Sequence, residues 1–157
     1  MNNLKLRQAK ITDLPVLMGL YNDLNYSEDH ELTLEQASQI FLQMQTIGGH
    51  CIYVLTNETK VVASFVLTIL PYLVHGGRSA GVLEDVVVDS TCRSMGIGKE
   101  ILNKAILICK EAGCYKLSLS SNIQREKAHA FYLEQGFKQH GISFAMELCN
   151  EESYARS

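Results

Sequence analysis

Hydrophobic and polar positions recur along the chain with two different periods, and these periods predict its elements. Residues 4–7 (LKLR) alternate with a period of two, which is typical of a strand. Residues 14–24 and 34–44 carry apolar side chains at helical spacing instead. An early proline, Pro15, opens the first of these segments, and a capping-box sequence headed by Thr33 precedes the second. The opening of the chain is therefore predicted as a strand followed by two helices.

The middle of the chain is rich in apolar and β-branched residues. The runs 51–56 and 61–72 are joined by a short polar turn, which predicts a hairpin. A second turn, at residues 75–78, leads into an apolar strand around Glu84. Three consecutive antiparallel strands are therefore expected.

The remaining pattern alternates between helix and strand. It predicts a helix over residues 96–112, a strand over 115–120, a helix over 125–135 and a strand over 142–148. The order β-α-α-β-β-β-α-β-α-β predicts an α/β (α+β) fold, with a mixed, largely antiparallel sheet flanked by about four helices. Residues 1–148 are expected to form a single domain, and residues 149–157 a polar tail.

Composition and charge narrow the classes of function. With 157 residues, a net charge of −3 and no Lys/Arg cluster, the chain gives no support to a nucleic-acid partner. It has no apolar run of ~18 residues, so no membrane segment is expected. Five cysteines without a C-x-x-C pair favour reduced thiols and a cytoplasmic protein. The histidines and cysteines lack ligand spacing, so no metal site is predicted.

The loop from Arg93 to Lys99 carries the most informative chemistry. Its pattern, R-x-x-G-x-G, lies between an apolar strand and an amphipathic helix. Glycines at Gly96 and Gly98 let a phosphate approach the backbone, and the N–H groups of a helix N-terminus attract anions. The loop lacks both the G-x-G-x-x-G of a dinucleotide fold and the G-K-[ST] ending of a P-loop. It therefore predicts a site for a phosphate-bearing cofactor of another kind.

Two further groups of residues could carry chemistry. Glu84 and Asp85 are adjacent, so on a regular strand they face opposite sides, and only one can point into a given cleft. A salt-bridged strand carboxylate is an equally good interpretation of Glu84. Asn122 ends a predicted strand, where a turn role is common, and Tyr132 lies on the next helix, where an aromatic is usually part of the core.

Together these residues resemble the GNAT superfamily of acyl-CoA-dependent N-acyltransferases, over nearly the whole chain. The resemblance is carried by Glu84-Asp85-Val86-Val87-Val88-Asp89, Arg93-x-x-Gly96-x-Gly98, Asn122, and Ala128-x-x-Phe131-Tyr132-x-x-x-Gly136-Phe137. Residues 73–89 and 113–116 are similar to glucosamine-6-phosphate N-acetyltransferases. Residues 119–137 and 142–144 are more similar to aminoalkylphosphonate N-acetyltransferases. Ser120-Ser121 departs from the first subgroup, which puts a sugar-phosphate acceptor in doubt.

The resemblance implies roles for particular residues. Glu84 would take the proton of the acceptor amine, with Asp85 as the weaker candidate, and Tyr132 would protonate the departing coenzyme A thiolate. Backbone groups of the strand would hold the pantetheine arm and polarise the thioester carbonyl. The residues expected to bind acetyl-CoA are Val86, Val87, Val88, Arg93, Ser94, Met95, Gly96, Ile97, Gly98, Lys99 and Asn122.

The acceptor is expected between the first two helices and the turn after the third strand. His75 and Arg78 would suit a phosphate or phosphonate, and Glu28 and Asp29 an ammonium group; Asp85 is a further candidate for contact with the acceptor. The expected function is N-acetylation of a small-molecule primary amine by direct transfer. Acetylation of a protein or peptide, of a polyamine or of an aminoglycoside stays open, as does a non-catalytic acyl-CoA-binding regulator. Family resemblance also implies a homodimer.

Overall fold

The computed structural model describes residues 4–24 and 32–146. Its strands are β1 (Leu4–Gln8), β2 (His50–Asn57), β3 (Lys60–Leu70), β4 (Ala80–Val88) and β5 (Lys116–Leu119). Its helices are α1 (Leu14–Tyr21), α2 (Leu34–Gln45), α3 (Ile97–Glu111) and α4 (Glu126–Glu134). Short 3-10 turns at Asn22–Leu24 and Ser90–Cys92 follow α1 and β4. The predicted mixed sheet with four helices is confirmed.

The five strands form one sheet in sequence order. β1 to β4 pair antiparallel, with a two-residue turn between β2 and β3 and longer connections elsewhere, whereas β5 pairs parallel to β4 after the α3 crossover. Cross-strand partners share a face, so Val54, Ser64 and Val87 lie side by side. Val54 and Val87 pack in one buried cluster with Leu17 of α1 and Phe41 of α2. We call this side of the sheet the α1 face.

The opposite side of the sheet packs against α3. The apolar face predicted for α3 consists of Ile97, Ile101, Leu102, Ala105, Ile106 and Cys109; all are less than 10% exposed except Ile106, which is partly buried. Gly81 of β4 lies so close to α3 that an added Cβ would be 2.3 Å from the Cys109 Sγ atom. Position 81 requires glycine because β4 and α3 pack there without room for a side chain.

The chain forms two compact units, residues 1–119 and 120–157. In the described part of the second unit, α4 ends at Glu134 with Gln135 as its C-cap, and Gly136 follows with a φ of 88°, which suits the glycine position just after a helix. The predicted strand over 142–148 is wrong for residues 142–146, which have no regular secondary structure. Ile142 and Phe144 alternate as in a strand but are 83% and 90% exposed. Alternation alone does not make a strand, since its backbone groups also need a partner strand.

None of the helices in residues 4–24 and 32–146 is long and apolar enough to cross a membrane.

Candidate active site

A β-bulge in β4 brings the two adjacent carboxylates into an unexpected arrangement. Val66 pairs with Glu84 and Ser64 with Val87, so β4 contains one extra residue between these pairs. Asp85 has a φ of 49°, a left-handed conformation that aspartate tolerates better than most residues. The register places Glu84 and Val87 on the same face, whereas strict alternation puts them on opposite faces. The prediction that Asp85 shares a face with Val87, away from Glu84, is therefore wrong.

The α1 face carries polar side chains from α1, β2 and β3. The Tyr21 hydroxyl of α1 lies 3.3 Å from the Ser64 Oγ atom, and Ser64 is fully buried. Burial raises the pKa of the Asp85 carboxyl, and the charge of His50 partly offsets this rise in pKa. Burial also raises the pKa of Tyr21, to which the Asp85 charge contributes. Asp85 thus lies within electrostatic range of α1 on one side and β2 on the other, while Glu84 is exposed.

The edge of β4 that faces β5 is paired along only half of its length. The parallel register runs from Ala80 and Lys116 to Leu83 and Leu119, where β5 ends. Residues 84–88 have no partner in that register among the described residues. This unpaired edge leaves room for the pantetheine arm that the family resemblance places along Val86, Val87 and Val88. Their contact with the cofactor stays a prediction.

The loop after β4 is held in shape by Asp89. Its carboxylate accepts hydrogen bonds from the Thr91 backbone N–H at 2.9 Å and the Thr91 hydroxyl at 2.6 Å. It also pairs with the Lys60 ammonium at 2.8 Å. The Lys60 hydrogen bond, with those of Thr91, lowers the pKa of Asp89 to about 2. The strand-ending aspartate therefore fixes the entry to the predicted cofactor loop.

The same loop then leads into α3, whose first backbone N–H groups have no partner within the helix. Ser94 and Gly96 have φ values of 64° and 79°, and Gly96 is the N-cap of α3. The first helical hydrogen bond runs from the Glu100 N–H to the Gly96 carbonyl. No side chain caps this end in the described part of the chain. The N–H groups of Ile97, Gly98 and Lys99 precede that bond and suit an anion, so the chemistry of this end fits the diphosphate of coenzyme A.

Arg93 has a protein partner in addition to its predicted role. Its Nη2 atom lies 2.6 Å from the Asp23 Oδ2 atom, and its Nε–H donates to the Val88 carbonyl at 3.4 Å. Both charged side chains remain substantially exposed, at 54% and 41%. The guanidinium thus joins the predicted cofactor loop to the turn that follows α1. The pattern R-x-x-G-x-G gives no indication of Asp23.

An aromatic and basic cluster lies at the other end of β4. The His75 ring stacks on Tyr115 with centroids 4.3 Å apart, and the Arg78 Cζ atom lies 5.7 Å from the Tyr115 centroid. The Lys116 Nζ atom lies 5.5 Å from the same centroid. We call His75, Arg78, Tyr115 and Lys116 the Tyr115 cluster. The structure brings together His75 and Arg78, two of the predicted acceptor residues, with Tyr115 and Lys116, which the sequence pattern does not indicate as site residues.

In the second unit, Asn122 and Tyr132 have clear local roles. The Asn122 Oδ1 atom accepts from the Gln124 N–H at 2.9 Å, and its backbone carbonyl lies 2.9 Å from the His129 Nε2 atom. Asn122 therefore stabilises a turn, as its position in the sequence suggests, and it does so through its side-chain oxygen and not its side-chain nitrogen. The Tyr132 ring contacts Phe131 and Phe137 at centroid distances of 5.5 and 5.9 Å. Their predicted cofactor and catalytic roles stay predictions.

The predicted acceptor residues Glu28 and Asp29 lie outside the described residues. Of the predicted acceptor residues, the structure therefore describes Asp85 at the bulge and His75 and Arg78 in the Tyr115 cluster.

Comparison with known proteins identifies the family. The acetyltransferase (GNAT) family matches residues 15–137. The chain is 29% identical to a probable glucosamine 6-phosphate N-acetyltransferase 2 of Oryza sativa subsp. japonica, over 92% of this chain and 87% of that one. It is 33% identical to an aminoalkylphosphonate N-acetyltransferase of Salmonella typhimurium, over 50% of this chain and 51% of that one.

A solved structure agrees with these relatives. A putative acetyltransferase from Agrobacterium tumefaciens str. C58 superimposes with a TM-score of 0.85 and 35% identity, covering 92% of this chain and 99% of that one. The resemblance to both N-acetyltransferase subgroups is confirmed. The chain therefore belongs to the GNAT acetyltransferase family, as an N-acetyltransferase that takes its acetyl group from acetyl-CoA.

Proposed function

We propose that this enzyme acetylates the primary amine of a small molecule that carries a phosphate or phosphonate group. The observation that carries the proposal is the arrangement along β4. The Tyr115 cluster lies at the Ala80 end, the anion-binding loop follows Val88, and the carboxylates Glu84 and Asp85 lie midway. At ~3.3 Å per residue, the middle of the strand is about 13 Å from either end. β4 thus has one candidate anion site at each end and a candidate proton acceptor in the middle.

The Tyr115 cluster has the chemistry of a phosphate site. Arg78 and Lys116 place two cations against one ring, and the Arg78 Nε–H donates to the His75 carbonyl at 3.1 Å, which orients its guanidinium. Charge-assisted hydrogen bonds to phosphate oxygens are among the stronger polar interactions in proteins. A phosphate or phosphonate would therefore bind here more tightly than a neutral hydroxyl.

The carboxylates suit the amine end of the same acceptor. Asp85 is half-buried, and a buried carboxylate is stabilised by a cationic partner. An acceptor ammonium group would supply that partner. Glu84 is exposed on the same strand, and its carboxylate would accept the ammonium proton to free the nitrogen lone pair. Freeing an amine with a pKa near ~10 costs about 4 kcal/mol at pH 7, which is why a base is needed.

Acetyl-CoA supplies an acetyl group activated as a thioester. The N–H groups at the start of α3 would hold its diphosphate, and Arg93 would contribute charge. The Tyr132 hydroxyl would give its proton to the departing coenzyme A thiolate. Asn122 would hydrogen-bond the pantetheine arm through its side-chain amide.

Matched pairs of acceptors test this function. Initial rates with acetyl-CoA would be compared for glucosamine 6-phosphate against glucosamine, and for 2-aminoethylphosphonate against ethanolamine. The phosphorus-bearing member of at least one pair is expected to give the higher kcat/KM. Arg78→Ala with Lys116→Ala should remove that preference, a loss of about tenfold or more per charge-assisted bond. Equal rates within both pairs, or a preference for spermidine, kanamycin or a peptide, would contradict the proposal.

We also propose that the enzyme is a homodimer. Support comes from Ile142, Phe144 and Met146, three alternating apolar side chains that are 83–90% exposed, because exposed apolar runs often mark interfaces. Light scattering behind a sizing column should give about twice the 17.5 kDa chain mass. A mass of one chain at micromolar concentration would contradict this.

A further inference from the structure

Two cysteines lie together at the C-terminal end of α3. The Cys114 N–H donates to the Cys109 carbonyl at 2.9 Å, and the Gly113 N–H donates to the Lys110 carbonyl at 3.1 Å. Gly113 has a φ of 68°, the left-handed conformation that glycine adopts just after a helix. These two bonds and this glycine form a Schellman motif, in which the side chains at the two outer positions frequently contact each other. In this chain both outer positions carry a thiol.

The backbone hydrogen bond also limits the distance between the two cysteines. With standard bond lengths, a donor nitrogen and an acceptor oxygen 2.9 Å apart keep the Cα atoms of Cys109 and Cys114 within about 6.8 Å of each other. Disulfides in proteins join Cα atoms that are about 4.4–6.8 Å apart. The two cysteines therefore lie within reach of a disulfide while α3 keeps its last turn.

The two thiols have different surroundings. Cys109 is 4% exposed, and its Sγ atom lies against Gly81 of β4, 2.3 Å from the position that an added Cβ would take. Burial, together with the neighbouring Cys114 thiol, raises the pKa of Cys109 to about 12. Cys114 is partly exposed. A reagent from solution can thus reach Cys114 first, while Cys109 stays beside it as a buried, protonated thiol.

We propose that Cys109 and Cys114 form a modification site that closes to a reversible disulfide by exchange with low-molecular-weight disulfides. The Cys114 thiolate attacks one sulfur of such a disulfide, forms a mixed disulfide and releases the first small thiol. Cys109 then gives up its proton and attacks the Cys114 sulfur, which releases the second small thiol and closes the Cys109–Cys114 bond. The protein loses two electrons and two protons, and the small disulfide gains them as it becomes two thiols.

Peptide mass mapping tests the site. Trypsin cuts after Lys104, Lys110 and Lys116, so the two cysteines fall in separate peptides, residues 105–110 and 111–116. The folded full-length chain would be incubated with oxidised glutathione, treated with N-ethylmaleimide to block the remaining thiols, and then digested. The two peptides should be recovered as a linked pair, lighter than their sum by two hydrogen atoms, and dithiothreitol should separate them.

Three variants assign the steps to the two thiols. Cys109→Ala should stop at the mixed disulfide, so that residues 111–116 carry glutathione. Cys114→Ala should leave Cys109 unmodified, because its thiol is buried. Cys51→Ser is the matched control and should keep the linked pair. It removes another partly exposed cysteine, whose partner across the strands is Leu67 and not a second thiol.

Three results would overturn the proposal. In the first, the oxidised wild type yields residues 105–110 and 111–116 only as separate peptides. In the second, Cys114 is linked to a cysteine other than Cys109. In the third, a non-reducing gel shows that the link joins two chains. None of these measurements involves acetyl transfer, so their outcome is independent of the proposed function.

Discussion

The Arg93 guanidinium and the Asp23 carboxylate are 2.6 Å apart, so the loop after β4 is tied to the turn that ends α1. Both residues are more than one-third exposed, and ion pairs of this kind contribute about 0–1 kcal/mol. The pair is therefore weak enough to open when a diphosphate competes for the guanidinium. Arg93 has two candidate partners, and substitutions can distinguish them.

Removing each member of the pair should have opposite consequences for cofactor binding. Arg93→Ala is expected to weaken coenzyme A binding about tenfold, the value of one charge-assisted hydrogen bond. Asp23→Ala should leave coenzyme A binding equal to or tighter than wild type, because it removes a competing anion. Calorimetry measures both dissociation constants. Equal weakening by the two substitutions would mean that the guanidinium serves the end of α1 and not the cofactor.

Gly96 should be required for its backbone conformation alone. An added Cβ there meets nothing within 4 Å, but the φ of 79° is left-handed. Gly96→Ala is expected to cost about 1–2 kcal/mol of unfolding free energy, together with a loss of coenzyme A affinity. Gly19→Ala is the control. Gly19 lies inside α1 with open space around it, so its replacement by alanine should stabilise the protein by about 0.5–1 kcal/mol. Urea unfolding gives both values, and a neutral Gly96→Ala would refute the conformational requirement.

Gly81 should be required for space instead. Its added Cβ would meet the buried Cys109 Sγ atom at 2.3 Å and the Leu117 Cδ1 atom at 3.1 Å. Gly81→Ala is expected to destabilise the fold by about 1–3 kcal/mol, as overpacking does. In a Cys109→Ala background the same change should cost less, since the nearest atom is gone. A double-mutant cycle in urea measures the difference, and strict additivity would argue against the contact.

Asp85 should lower the free energy of unfolding at neutral pH, a cost that its proposed role in acetyl transfer would explain. Burial raises its pKa, so the folded protein holds this proton to higher pH than the unfolded chain does. Stability contributed by Asp85 is therefore greatest in acid and is lost as pH rises through the folded pKa. Asp85→Asn stays neutral and tolerates the left-handed backbone, so it should be more stable than wild type at pH 7 while losing acetyl transfer.

The pH dependence of the stability difference between Asp85→Asn and wild type tests this prediction. Thermal unfolding of Asp85→Asn and wild type should differ at pH 7 and converge as the pH is lowered. Glu84→Gln, at an exposed position on the same strand, should lose activity with a stability change within about 0.5 kcal/mol. A less stable Asp85→Asn at neutral pH would contradict the desolvation account.

The parts of this protein that could be predicted from sequence depend on local pattern. α3 is an example: its apolar stripe from Ile97 to Cys109 is periodic, and the glycines at Gly96 and Gly113 mark its ends. The loop of residues 93–99, predicted to bind the diphosphate, and the His75 and Arg78 pair also follow from short stretches of chain. Each of these features is set by residues within a few positions of one another.

The parts that could not be predicted depend on residues far apart in sequence. The bulge at Asp85 exists because β4 pairs with β3 through one extra residue, and the run from Glu84 to Val88 does not encode that register. Only tertiary packing brings the Tyr21 hydroxyl of α1 to Ser64 of β3, on the face where β3 pairs with the bulged strand. Residues 142–146 alternate like a strand, yet alternation does not supply the partner that a strand requires.

The central claim is that the backbone N–H groups at the start of α3 bind the diphosphate of acetyl-CoA. The most direct measurement is calorimetry of coenzyme A against pantetheine, which lacks the diphosphate, with backbone amide NMR recorded during both titrations. Coenzyme A should bind at least ~100-fold more tightly, equivalent to two charge-assisted hydrogen bonds, and should shift the amides of residues 94–99. Equal affinities, or amide shifts that leave residues 94–99 unmoved, would contradict the account.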